Sequence, residues 1–323
     1  MKNIITIEEH FDTPQAAQLF NEHVGTETQN AKPLYEKLID FDNRLRYMDA
    51  NGIGMQILSD AGNSPQVLPG KLAVSACKEI NNVLVKVIQS HPDRFAGFAT
   101  LPVDEPEAAV EELQRSVTKL GFKAALISGT VNGQFLDHPK FLPIFAEAEK
   151  LDVPLYLHPG YPTKEQRNLL YTSEAYPKIA GALISTFGWG WHMDQGLQMV
   201  RLIFAGIFDK FPELKLISGH WGEFVPNFIG RLDGISHIPG IGLKKSFSQY
   251  YRNNVYVTPS GMFTKPQFEL ALAEMGADHI LYSEDYPYII KEGEVSSFFD
   301  QMSISMEDKE KIAYKNAEKL FKL

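Results

Sequence analysis

Along the chain, short apolar, β-branched runs recur, each followed by a polar or Gly/Pro turn and then by an amphipathic stretch. That rhythm marks β-α units and a parallel sheet. Eight runs read as strands: Asn3–Glu9, Met55–Ser59, Phe95–Leu101, Lys123–Ser128, Pro154–His158, Leu214–Gly219, Asn254–Thr258 and His279–Ser283. Helical patterning fills Asn63–Ser90, Pro106–Leu120, Pro139–Leu151, Gln195–Phe211 and Lys265–Met275, and a last helix, Met306–Leu323, closes the chain. Eight strands, each followed by helical sequence, match an α/β fold of the (β/α)8 TIM barrel type, whose closure removes edge strands. A doubly wound open sheet is the alternative, against which no Gly-x-Gly-x-x-Gly follows any strand.

Two connections exceed ordinary β-α loops: Asp12–Asp49 after strand 1 and Gly160–Asp194 after strand 5. Long insertions at one end of a barrel form lids or subunit contacts. The second carries Tyr161, Tyr171, Tyr176, Phe187, Trp189 and Trp191. A wall for a flat ring and a packing or dimer contact are both open readings of that aromatic set. No linker and no low-complexity tract divides the chain, so residues 1–323 are expected to form one domain.

Composition narrows the function classes. A hydrophobic content of 44% with 22% charged residues is that of an ordinary globular protein. The net charge of -9 and a pI near 5.5 argue against nucleic acid as a partner. The N-terminus leads straight into a strand, and no stretch approaches a membrane span, so a cytoplasmic protein is expected. The single cysteine, Cys77, lies in an apolar-periodic segment and reads as a small core residue.

The candidate chemistry sits at strand ends. In an extended strand Glu8 and His10 point one way and Glu9 the other, and a carboxylate beside an imidazole suits a divalent metal if other ligands converge. Alone, such a pair reads as solvated charge. Strand 5 ends in His158, strand 6 in His220 with Glu223 three residues on, and strand 8 in Asp285. In a barrel these are the C-terminal ends, where active sites are built. His23, His91, His138, His192, His237 and His279 fall in loops, turns or the wrong end of a strand and read as surface or structural histidines.

These residues carry a resemblance. Glu8-Glu9-His10-Phe11, Leu136-Asp137-His138-Pro139, Tyr156-Leu157-His158-Pro159, Gly219-His220-Trp221-Gly222-Glu223, Gly276-Ala277-Asp278 and Asn316-Ala317 resemble the amidohydrolase superfamily, in its amidohydrolase-2 branch of decarboxylases acting on resorcylate-type and aminocarboxymuconate-type acids. The resemblance spans nearly the whole chain. It implies a divalent metal ion, zinc or manganese, held by Glu8, His10, His158 and Asp285. Hydrolases of the superfamily often open with His-x-His and carry a strand-4 lysine that bridges two metals. Here position 8 is Glu, and strand 4 ends Leu126-Ile127-Ser128-Gly129, so one metal is expected. Tyr286 stands where the resembled decarboxylases usually have Trp, which leaves the exact pocket open.

The expected function is metal-dependent, non-oxidative decarboxylation of a hydroxybenzoate-like or related unsaturated acid. Asp285 would protonate the substrate carbon, His220 would polarise or deprotonate a substrate hydroxyl with Glu223 holding its tautomer, and Arg231, which matches the family's arginine, would be a fixed cation for the substrate anion. The alternative is a metal-dependent hydrolase of an amide, ester or lactone with Asp285 as base. A small carboxylic acid is the expected partner, and the resemblance suggests a homodimer or homotetramer.

Overall fold

The computed structural model describes residues 3–23, 32–60, 64–290 and 293–323. Seven parallel strands form one sheet in sequence order: β1 (Ile4–Phe11), β2 (Ile53–Asp60), β3 (Phe95–Thr100), β4 (Ala124–Ser128), β5 (Leu155–His158), β6 (Leu216–Ser218) and β7 (Val255–Val257). The sheet curls. The segment expected as an eighth strand makes a single bridge, Ile280 with Val257, and Tyr286 just beyond it makes another with Glu9. Its backbone also bonds to both edges, Leu281 N donating to Val257 O (2.9 Å) and Ile7 N to Tyr282 O (3.0 Å). A continuous ladder fails there for a local reason. β1 slips in register between Thr6 and Glu9, and Asp285 sits at φ 58°.

Strand alternation sorts the core into two faces. Ile5, Ile57, Phe98, Leu126, Tyr156 and Ile217 share the concave face with Leu281, and Phe321 of the last helix packs beneath them. Their sequence neighbours, such as Leu58, Ala99, Ile127, Leu155 and Leu216, face outward onto the helices. His158, two residues beyond Tyr156, therefore falls on the concave face.

Helix boundaries differ from expectation where the chain turns. The first long helix begins at Gly70 and runs to Ser90; Asn63, its expected start, lies outside the described residues, as do 24–31 of the first insertion. Cys77 is fully buried on that helix, and burial pushes its thiol well up, as a structural cysteine requires. The helix expected over Gln195–Phe211 starts earlier, at Gly190, and ends at Phe204 ahead of Gly206, whose φ of 71° breaks it. The second insertion thus runs directly into a core helix. In the last helix the Asn316 amide donates to Ala277 O and Ile280 O, 2.7 Å each, pinning the start of the eighth segment.

Candidate active site

β1 carries the first two candidates, and its irregularity decides how they point. Glu8 adopts φ 105° within the register slip, a conformation that costs a non-glycine residue free energy and marks a constrained position. Glu8 Oε2 accepts from the Ser260 and Ser283 hydroxyls, the latter at 3.3 Å. Oε1 is buried and meets no hydrogen-bond donor among the described residues. His158 Nε2 lies 3.7 Å from Glu8 Oε1, and His10 Nε2 lies 3.3 Å from Asp285 Oδ1 without hydrogen-bond alignment. The two imidazoles meet edge to face with centroids 4.9 Å apart.

The far side of each ring is occupied. His10 Nδ1 faces Asp60 O (3.1 Å) and Ser59 Oγ (3.2 Å), and His158 Nδ1 faces Pro159 O (2.7 Å). A proton on Nδ1 satisfies those carbonyls and turns an Nε2 lone pair into the cluster, the pattern of a metal-ligating histidine. Burial, then His10 and His220, hold His158 well below its ordinary range, so it is neutral. Burial raises the Glu8 carboxyl against the pull of His220.

One carboxylate oxygen of Glu8 and one ring nitrogen each of His10 and His158 lie within 4.8 Å of one another. An orphaned carboxylate oxygen facing imidazole lone pairs, with no proton donor between them, is the arrangement a divalent cation satisfies. Spacing agrees. Ligands 2.0–2.2 Å from a tetrahedral or octahedral ion sit roughly 3–3.6 Å apart, near the 3.3 and 3.7 Å found here.

β6 feeds the second cluster through an unusual turn. From His220 to Phe224 five consecutive residues have positive φ (46°, 59°, 81°, 53° and 66°), a left-handed turn. Each non-glycine residue there costs roughly 1–2 kcal/mol. Trp221 N bonding to Thr258 O (2.8 Å), Trp221 Nε1 to Met262 O (2.7 Å) and His220 N to Ser260 Oγ (2.9 Å) offset that strain. Gly222 is needed twice over, since a Cβ would meet strain at φ 81° and collide with the Tyr251 hydroxyl. The turn brings His220 Nδ1 to 2.7 Å from Glu223 Oε1. Burial disfavours charge on His220, but Glu223, with Glu8 and Asp285, outweighs it and pushes the ring up to about 9. Burial likewise works against an ionised Glu223, and His220 and His192 more than offset it, holding the carboxyl below its ordinary range.

Glu8, His10, His158 and Asp285 are thus brought together, and His220 pairs with Glu223 beside them. Arg231 lies exposed on the helix Ile229–Ser236, with no ion pair to either cluster among the described residues. His192 departs from expectation. Its Nδ1 is 2.7 Å from Glu223 Oε2, because the helix Gly190–Phe204 crosses the left-handed turn with Gly196 seated against the Glu223 carbonyl. The other five histidines stay outside; His279, for example, stacks on Tyr256 at 4.6 Å.

Sequence reading also missed the supports. Ser260 bonds both Glu8 and the His220 backbone. Glu9, fully buried, accepts from Glu284 N (3.0 Å) and Tyr286 N (3.2 Å), clasping the turn that presents Asp285. Arg44, also fully buried, donates to His10 O and lies 4.3 Å from the centroid of Tyr286. The one available signal for Glu9 was its position in an unbroken acidic pair inside a buried strand.

A protein-family model described as Amidohydrolase matches residues 34–323. γ-Resorcylate decarboxylase of Rhizobium sp. (strain MTP-10005) is 36% identical, over 100% of this chain and 99% of its own length. Among solved structures, 2,6-dihydroxybenzoate decarboxylase from Rhizobium superposes with a TM-score of 0.88 at 34% identity, covering 100% of this chain and 99% of the other. Dihydroxybenzoic acid decarboxylase from Polaromonas sp. JS666, solved with bound manganese and the inhibitor 2-nitroresorcinol, superposes with a TM-score of 0.88 at 32% identity, covering 100% and 98%. The clustered strand-end residues, the family match and this end-to-end similarity lead to one conclusion: the chain belongs to the amidohydrolase family.

Proposed function

We propose that this protein is a metal-dependent decarboxylase that releases CO2, without oxidation, from a hydroxybenzoate-like acid. The observation that carries the reading is the orphaned pair Glu8 Oε1 and His10 Nε2, clustered with His158 and facing Asp285, beside a separate imidazole–carboxylate dyad. The relatives and neighbours named above are decarboxylases of dihydroxybenzoates, and one binds manganese. A single zinc or manganese ion held by Glu8, His10, His158 and Asp285 would grip the substrate carboxylate and an adjacent hydroxyl and stabilise the negative charge developing on them.

The chain's own residues handle the protons. Asp285 transfers one to the ring carbon bearing the carboxylate. As that C–H bond forms, the C–C bond to the carboxylate breaks, its electron pair restores the aromatic ring, and CO2 leaves. His220, oriented by Glu223, polarises the substrate hydroxyl while it carries a proton on both nitrogens and receives the hydroxyl proton as the neutral ring. Arg231, exposed and in no ion pair among the described residues, is the proposed cation for the substrate anion.

The two-sided bonding of residues 280–286 supports a closed (β/α)8 barrel forming one domain, with insertions after strands 1 and 5. Exposed Leu169, Leu170, Ile179, Phe187 and Trp189, with Phe228 nearby in sequence to Arg231, support a homo-oligomer joined through the second insertion. Among the described residues no helix is long and apolar enough to cross a membrane. The lone, buried cysteine supports a cytoplasmic setting, and the acidic charge supports a small-molecule partner rather than nucleic acid.

Elemental analysis of purified protein should give one zinc or manganese per chain. A panel of hydroxybenzoates should release CO2, with deuterium from heavy water appearing on the ring carbon. Asp285→Asn should abolish turnover and keep the metal. Ester or lactone cleavage with no CO2 from any acid, or full activity in Asp285→Asn, would overturn the reading.

A further inference from the structure

We infer that His192 is a positioning residue for the His220–Glu223 dyad, a second imidazole that locks Glu223 in place and ties the aromatic insertion to the site; its catalytic consequence rests on the decarboxylase reading above.

The Glu223 side chain is fully buried, and each of its oxygens is taken by a different ring, Oε1 by His220 Nδ1 and Oε2 by His192 Nδ1, both at 2.7 Å. A carboxylate with one partner remains free to swing about its last torsion, a broad, two-fold rotor. Two donors on opposite oxygens remove that freedom. The rings stand 4.5 Å apart at 65°, so each also limits the other's tilt. With Glu223 fixed, the proton of His220 is held on Nδ1, and Nε2 is the nitrogen left to meet substrate.

His192 is itself anchored, and by the insertion. Its Nε2 faces Phe187 O at 3.0 Å, and its ring meets Phe224 edge to face at 6.1 Å. Phe187 packs against Trp191, and Trp191 against Tyr161. The backbone of the second insertion is therefore one hydrogen bond from His192 and two from the carboxylate that orients His220. The Glu8–His10–His158 cluster does not depend on this link, since His192 touches none of Glu8, His10, His158 or Asp285 through any hydrogen bond or ion pair among the described residues.

His192→Phe keeps a ring of similar size and removes both ring nitrogens; His192→Asn keeps a donor near the Nδ1 position. With 2,6-dihydroxybenzoate as the probe, kcat of His192→Phe should fall about tenfold. KM should change less than kcat, metal content should stay at one ion per chain, and His192→Asn should recover most of the loss. On histidine-labelled protein without substrate, the downfield Nδ1–H resonance of His220 should shift or broaden in His192→Phe and return in His192→Asn. An unchanged His220 resonance in His192→Phe, or wild-type kcat in that variant, overturns the inference. The resonance is read whether or not any acid is decarboxylated, so failure of the decarboxylase reading and failure of this inference give different results. If His192→Phe does not fold, the resonance and kcat of His192→Asn against the isosteric but donor-free His192→Leu decide the matter in the same way.

Discussion

Two carboxylate–imidazole clusters stand side by side at the strand ends, and their polar atoms are treated in opposite ways. Around Glu8, His10, His158 and Asp285 the outward-facing atoms of the first three are satisfied by Ser59, Asp60, Pro159 and Ser260, while the inward atoms stand apart without hydrogen bonds, Glu8 Oε1 3.7 Å from His158 Nε2 and His10 Nε2 3.3 Å from Asp285 Oδ1. Around Glu223 the facing atoms close on each other at 2.7 Å. The first spacing suits a cation and the second a shared proton. Similar residue types therefore serve different chemistry because their supports differ. Burial alone does not separate them, since both carboxylates are fully enclosed.

The largest break in that contrast should come from His158→Ala. Removing one of the clustered imidazoles should leave the protein without its metal after dialysis and bring CO2 release to background; retained metal with retained turnover would dissolve the distinction between the clusters. Glu223→Gln should leave the metal bound and lower kcat by about 100-fold. That variant also carries a pH signature in chelator-treated protein. His220 is raised to about 9 in the fold, so its contribution to stability is full below the ordinary histidine value near 6.5 and is lost as pH climbs through 9. The wild type should therefore lose more stability than Glu223→Gln between pH 6.5 and 9.5, by an amount on the order of 3 kcal/mol at most. Urea midpoints measure it, and parallel curves for the two proteins would refute it. The smallest effect is expected from Glu9→Gln, which weakens the clasp on the Asp285 turn without touching a facing atom. Metal affinity should drop about tenfold by competition with a chelator, and an unchanged affinity would confine Glu9 to a folding role.

Much of the first cluster is legible in the sequence. Apolar runs ending in His158, His220 and Asp285 identify strands with chemistry at one end, and a β-α rhythm places those ends together. The second cluster was half legible. His220 and Glu223 are three residues apart, and local spacing finds such pairs, whereas His192 is 31 residues from Glu223 in an insertion without a strand pattern. The eighth strand shows the limit from the other side. Its sequence has the strand pattern, yet the slip in β1 and the left-handed Asp285 leave it only single bridges.

The pattern of apolar and polar positions by itself determined the parallel α/β sheet and which ends of it carry titratable groups, because burial and alternation are properties of each short segment. Tertiary structure decided which atoms were left facing one another. Glu8 stays orphaned on one oxygen because Ser260, 252 residues away, takes the other; Glu223 is satisfied on both because a helix from the aromatic insertion lays His192 across it. Such contacts depend on where distant segments come to rest, and no local spacing encodes them.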